Sequence, residues 1–429
     1  MKILLAHKFM YRGGGTATYI FALWEELEKR GHELIPFTVA YEQTVPTKYS
    51  EFFVSPPAGK SETHLRDMKL SPWTALKLLG RATWSLEAYR KALALVDASK
   101  PDIAYVHNLY SYMSPSPIAA FKRRGLPIVM RVPDMNLVCP GLRAIREGRA
   151  CLECMDRGLL WSLRFRCHKG SLAGTATRAL SMAIHRWVRV YEAVDLFVTP
   201  SEFMRQVLIK MGVPEDRAVH LPSFYQASTS AATTEQRTDK PYILYLGRVA
   251  PEKGLDVLVE AAQKLPQGAE VRIAGGDRDG ERGRLEALAE RLRVSNIGFL
   301  GHQEPEVLHR LIEDCLFTVV PSRWQDNCPM AVLESFAHGK PVVGANIGGI
   351  PEQIGDDCGL LFEPGDPEDL AAKLSYLLTH SEERLEMGRA ALRRLQTVYT
   401  PEAHCGRLLG LFEALTGGTE VRDMTVAVA

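Results

Sequence analysis

Short apolar runs alternate with helical patterns along almost the whole chain. Residues 2–6 form an apolar run. Ile20, Leu23, Trp24 and Leu27 then recur at helical spacing, and Gly31 is placed to end that helix. Further apolar runs fall at 34–39, 103–106, 128–131 and 196–198. A more regular series follows at 243–246, 271–274, 297–300, 317–320, 342–344 and 360–362. This alternation predicts parallel sheets joined by crossover helices.

A length of 429 residues is too great for one ordinary core and predicts two domains. Residues 226–234 lack large apolar side chains and periodicity, so they read as a linker. The expected division is a first domain over 1–224, a linker over 225–240 and a second domain over 241–399. A C-terminal helix and tail over 400–429 is expected to pack back across the boundary. An insertion at about 134–175 interrupts the first domain.

The formal net charge of +1 gives no global pull toward nucleic acid, and no nucleic-acid partner is expected. No stretch of about 18 or more apolar residues is present to span a bilayer. The first seven residues carry one lysine and a short apolar run. They predict a first strand rather than a signal peptide, and hence a cytoplasmic protein.

Chemistry concentrates after the apolar run Tyr242-Ile243-Leu244-Tyr245-Leu246. There the chain reads Gly247-Arg248-Val249-Ala250-Pro251-Glu252-Lys253-Gly254. A guanidinium and an ammonium thus stand where a buried strand turns toward a helix, which is a place to hold a diphosphate. The bland reading is an exposed turn. Farther on, Asp326 and Asn327 lie in a loop after Pro321-Ser322. Glu334 sits on the helix that follows Pro329. The loop acid is expected to face a cleft, while the helix acid accepts hydrogen bonds from a pair of ribose hydroxyls. The bland reading here is a core helix with a solvated carboxylate.

Together these segments, with Glu334-Ser335-Phe336-Ala337-His338-Gly339-Lys340-Pro341-Val342, resemble the family-4 retaining glycosyltransferases, also called glycosyl transferases group 1. The resemblance extends over most of the chain and is strongest from Tyr242 to Phe362. It implies a GT-B fold, two Rossmann-like α/β domains facing across a donor cleft. By carry-over, Arg248 and Lys253 hold the diphosphate of a UDP- or GDP-sugar, Glu334 the ribose, and Asp326 the transferred sugar. The family usually has two glutamates with seven residues between them. This chain keeps the spacing but places the shorter Asp326 first.

Gly13-Gly14-Gly15 follows the first strand and lets backbone approach a ligand closely; Gly14 and Gly15 are expected at the donor. His107 ends an apolar run. It is either a packing residue or, as the resemblance implies, a contact to the donor sugar. No catalytic metal is expected, since protein cations neutralise the diphosphate. Asp277-Arg278-Asp279 spells D-x-D but falls in a turn.

Cys139, Cys151, Cys154 and Cys167 fall within the insertion at C-x11-C-x2-C-x12-C spacing. They read either as a structural zinc site or as free thiols. From Arg157 to Tyr191 there are seven Arg or Lys residues and no Asp or Glu, with Trp161, Leu163, Phe165 and Trp187 interleaved. Such a face can rest peripherally on an anionic membrane and meet a lipid-linked acceptor, or it is simply solvated.

The reading is therefore a hexosyltransferase-like enzyme of polysaccharide or glycoconjugate synthesis that extends a saccharide or lipid-linked saccharide. The alternatives are a GT-B-fold isomerase or phosphorylase, and a nucleotide-sugar-binding protein with impaired catalysis.

Overall fold

The computed structural model describes residues 1–11, 15–56, 79–226, 241–277 and 280–417. Gly14, most of the proposed linker, two residues of the D-x-D turn and the last twelve residues lie outside these ranges.

Two six-stranded parallel sheets form the frame. The first contains β1 (Lys2–Ala6), β2 (Glu33–Phe37), β3 (Ile103–His107), β4 (Ile128–Arg131), β7 (Leu196–Thr199) and β8 (Ala218–His220), in the order β2-β1-β3-β4-β7-β8. Between β4 and β7 the insertion adds a small antiparallel hairpin, β5 (Ile145–Arg146) and β6 (Arg149–Ala150). The second sheet contains β9 (Tyr242–Leu246), β10 (Glu270–Ala274), β11 (Ile297–Gly301), β12 (Phe317–Val320), β13 (Val342–Ala345) and β14 (Gly359–Phe362). Its order is β11-β10-β9-β12-β13-β14. The central strands are buried along their whole length because crossover helices cover both faces, which is why they read as continuous apolar runs.

Both sheets have a switch point where the strand order reverses, between β1 and β3 in the first and between β9 and β12 in the second. In open α/β sheets, ligands bind outside the carboxyl ends of the strands at such points. Those four strand ends carry His7, His107, Arg248–Lys253 and Pro321–Asn327.

The helix Pro401–Gly417 packs on the first sheet although it follows the second. Leu408, Leu411 and Phe412 share one buried cluster with Ile3, Leu5, Ile103 and Tyr105. The Phe412 and Tyr105 rings meet edge to face at 5.4 Å. A second tie is polar. Both carboxylate oxygens of Glu352, from the second domain, accept backbone N–H groups of Glu202 and Phe203 at 2.6 Å each. Those groups open the helix Glu202–Lys210, so a negative charge from one domain caps a helix of the other. Ser201 completes the cap by accepting from the Met204 N–H at 3.1 Å.

Candidate active site

Lys253 and Asp326 meet where the carboxyl ends of β9 and β12 lie side by side. The Lys253 Nζ stands 2.6 Å from Asp326 Oδ2, and both side chains are largely buried. The same oxygen accepts from the Trp324 indole at 3.0 Å and from the Ser322 hydroxyl at 3.5 Å. The Trp324 ring lies 5.2 Å from the ammonium. This close packing needs Gly254. Its φ is +69°, and a Cβ there would come within 1.9 Å of the Pro321 carbonyl oxygen.

Arg248 is held differently. Its Nη2 donates to Glu252 Oε1 at 3.1 Å; the acid is 1% exposed and the guanidinium 51%. Glu252 is a site residue that sequence reasoning missed. The signal was present, since an acid within a run of fixed cations is placed to orient them.

Glu334 lies on the helix Met330–Ala337. It is half-buried by surface, yet protein surrounds it closely enough that burial pushes its carboxyl up to about 7. No hydrogen bond or ion pair reaches it among the described residues. The half-buried phenol of Tyr225 is near enough to feel its charge.

Across the cleft, His107 is fully buried, and among the described residues neither ring nitrogen has a hydrogen-bond partner. Burial holds its pKa well below the usual histidine range, and the Arg131 guanidinium lowers it further. The imidazole is therefore neutral, with one N–H donor and one acceptor unused. Tyr105, Tyr19 and His7 surround it at ring distances of 4.3, 5.9 and 6.3 Å. Gly15 opens the helix Gly15–Lys29 that follows β1.

Asn327 joins the two walls, donating through Nδ2 to the Pro133 carbonyl at 2.9 Å. Its Oδ1 is buried without a partner among the described residues. Gly349 lets the loops close here, for a Cβ on it would lie 1.9 Å from the Asn327 carbonyl oxygen and 2.7 Å from Ser201 Cβ. Asp277 serves another purpose. Its carboxylate accepts from the N–H groups of Glu281 and Arg282 at 3.2 and 3.0 Å, capping the helix Glu281–Leu292.

In the insertion, the Cys139 carbonyl accepts from the Leu142 N–H at 3.0 Å, and burial pushes the Cys139 thiol up. Burial pushes the Cys154 thiol up to about 12, and the nearby Cys139, Cys167 and Cys151 add to this. The four thiols thus form one neighbourhood. No group of three or more His, Cys, Asp or Glu is arranged to hold a metal ion among the described residues.

The geometry pairs two cations with two acids at one switch point. A buried, neutral histidine stands at the other, and a raised carboxyl lies beyond. Two family models match this chain: Glycosyltransferase Family 4 over residues 13–226 and Glycosyl transferases group 1 over residues 228–394. The sulfoquinovosyl transferase of Arabidopsis thaliana is 31% identical over 217 residues, covering 47% of this chain and 41% of that protein. A D-inositol 3-phosphate glycosyltransferase of Mycobacteroides abscessus is 34% identical over 167 residues, covering 37% of each chain. These matches span about two fifths of the relatives' lengths.

Sucrose-phosphate synthase of Thermosynechococcus elongatus superposes with a TM-score of 0.69 at 17% identity, covering 97% of this chain and 100% of that one. Anabaena HepE, solved with UDP and glucose, gives 0.64 at 15% identity, covering 96% of this chain and 100% of that one. At such identities the likeness establishes the fold alone. The chain belongs to the glycosyl transferases group 1 family, and its two parallel-sheet domains have the GT-B architecture.

Proposed function

We propose that this protein is a retaining glycosyltransferase that moves a sugar from a UDP- or GDP-sugar to a saccharide or lipid-linked saccharide, with no catalytic metal. The observation that carries this reading is the placement of Arg248, Lys253 and Asp326 at the switch point of the second sheet. Group transfer breaks the bond between the anomeric carbon and the β-phosphate oxygen, and charge grows on the departing nucleoside diphosphate. Lys253 and Arg248 stabilise that charge, which is commonly the largest single catalytic term. The acceptor hydroxyl adds to the anomeric carbon, and its proton leaves with the β-phosphate. Glu334 accepts the ribose hydroxyls. Neutral His107 and Asp326 contact the transferred sugar, and the peptide group at Gly15 approaches the donor. Retention of configuration rests on the family resemblance.

Two finer features accompany this reading. The mutual proximity of the four thiols supports a structural zinc ion held by Cys139, Cys151, Cys154 and Cys167. The basic segment exposes Leu160, Leu172, Leu180 and Trp187, the last at 82%. By contrast, Trp161 and Phe165 stack with Arg157 and Arg146. The exposed apolar residues among cations favour peripheral contact with an anionic membrane, where a lipid-linked acceptor resides. No helix among the described residues is long and apolar enough to cross a membrane.

Lys253→Ala is expected to lower kcat by about 100-fold or more. It also strands the buried Asp326 carboxylate, so the melting temperature falls too. Unchanged turnover removes Lys253 from the clamp.

Glu334 gives a pH signature. Its carboxyl is raised from an ordinary 4.5 to about 7 in the folded state, so folding takes up a proton between those values. Stability of the ligand-free protein therefore falls as pH rises from 4.5 toward 7 and is level above. Glu334→Gln is expected to be the more stable form at pH 8, with no advantage at pH 4.5. Binding of a UDP-sugar, whose diphosphate does not titrate in this range, should strengthen by up to about tenfold from pH 6 to pH 8. The gain should vanish in Glu334→Gln, and a pH-independent wild type contradicts the assignment.

Metal analysis of purified protein should find about one zinc ion per chain, and Cys154→Ser should release it with loss of stability. Metal-free protein whose melting is unaffected by that substitution refutes the site. Vesicles with anionic lipid should pellet the protein at low salt and release it as salt rises. Absence of salt-sensitive pelleting rules out the membrane face.

A further inference from the structure

Within the second domain the clamp is electrically balanced. Lys253 faces Asp326, and Arg248 faces Glu252. Two cations and two carboxylates sum to zero before a diphosphate brings its own negative charges. These four groups alone therefore offer a donor no net attraction.

A third guanidinium changes that balance, and it comes from the other domain. Arg143 lies in the insertion after β4, and its Nη1 stands 2.9 Å from Glu252 Oε2. Glu252 is 1% exposed, whereas Arg143 is 44% exposed. One buried carboxylate is thus shared by two half-exposed guanidiniums, one from each wall of the cleft. The Arg143 contact is close but not aligned as a hydrogen bond, since Glu252 Oε2 receives none among the described residues. The N–H groups of Arg143 remain available to a ligand.

The local backbone is built to present this side chain. Leu142 and Ala144, on either side, have φ of +72° and +48°. Each left-handed residue costs roughly 1–2 kcal/mol, so surrounding contacts must hold the conformation. They do so on both flanks. The Cys139 carbonyl accepts the Leu142 N–H at 3.0 Å, and the Ala144 carbonyl accepts from the Cys151 N–H at 2.7 Å. At the tip of the β5–β6 hairpin, Gly148 lies so near the second domain that a Cβ would stand 3.1 Å from Arg323 Nη1.

We propose that Arg143 is a donor-binding residue supplied across the cleft: it carries the excess positive charge of the diphosphate site and, through Glu252, positions Arg248. This inference rests on the donor site proposed above. It assigns the insertion a part in substrate recognition. It also makes donor binding depend on the first domain, so that the donor is clamped only when the two walls meet.

The test is calorimetric titration of the full chain with UDP and with uridine, comparing wild type, Arg143→Ala, Arg143→Gln, Arg143→Lys and Lys253→Ala. Arg143→Ala is expected to weaken UDP by about 10–100-fold, the loss of one charge-assisted contact, and to leave uridine within about twofold. Arg143→Gln should behave like Arg143→Ala, and Arg143→Lys should recover part of the affinity. In turnover assays the donor KM rises more than kcat falls. If UDP and uridine weaken in parallel, Arg143 only supports the loop and the proposal fails. UDP binding unaffected in Arg143→Ala and Arg143→Gln but lost in Lys253→Ala overturns the proposal and leaves the donor site standing. UDP binding unaffected in all four variants overturns both.

Discussion

Two carboxylates, Glu252 and Asp326, hold the cations of the candidate donor site in place before any ligand arrives. Isolated, Arg248 and Lys253 are long side chains with many rotamers, and ordering them on binding carries an entropy cost. Pairing with acids fixed by the fold removes much of that cost in advance. Asp326 is itself fixed by Trp324 and Ser322, and Glu252 by burial. A diphosphate entering the site must compete with these acids, so each ion pair both pre-positions a cation and restrains it. Preorganised charge of this kind is effective where charge develops during bond cleavage.

The same economy governs the meeting of the two domains. Glu352 caps a helix of the first domain, Asn327 reaches the Pro133 carbonyl, and Arg143 reaches Glu252. All three contacts are polar and lie around the cleft. Interfaces of this character are compatible with relative motion of the domains, whereas a large apolar seam is not. The helix Pro401–Gly417 is the exception. Its apolar face is part of the first domain's core, so the chain crosses the boundary and remains anchored there.

Much of the frame was legible in the sequence because buried parallel strands leave an unbroken apolar signature. Each strand of the second sheet coincides with such a run, and β12 is read to the residue at Phe317–Val320. The run at 34–39 ends earlier in the structure, with β2 stopping at Phe37 and Val39 making only an isolated bridge to Val54. Short β8 and the β5–β6 hairpin escaped notice, because strands of two or three residues show no periodicity. At the site, Arg248, Lys253, Asp326, Asn327 and Glu334 were visible from their spacing around strand ends. Glu252 and Arg143 were not singled out. One was overlooked beside its cations. The other lies 105 positions before Arg248 in the chain, and no local pattern links an arginine in an insertion to a turn in another domain. Pairings of that kind are set by how the two walls meet.

The most direct test of the account is a structure of this protein with a bound UDP-sugar. The account predicts phosphate oxygens at about 3 Å from the Arg248 guanidinium and the Lys253 ammonium, with the ribose hydroxyls on Glu334. A diphosphate bound elsewhere, with Lys253 still locked on Asp326 and Glu334 without contact to the ribose, would contradict it.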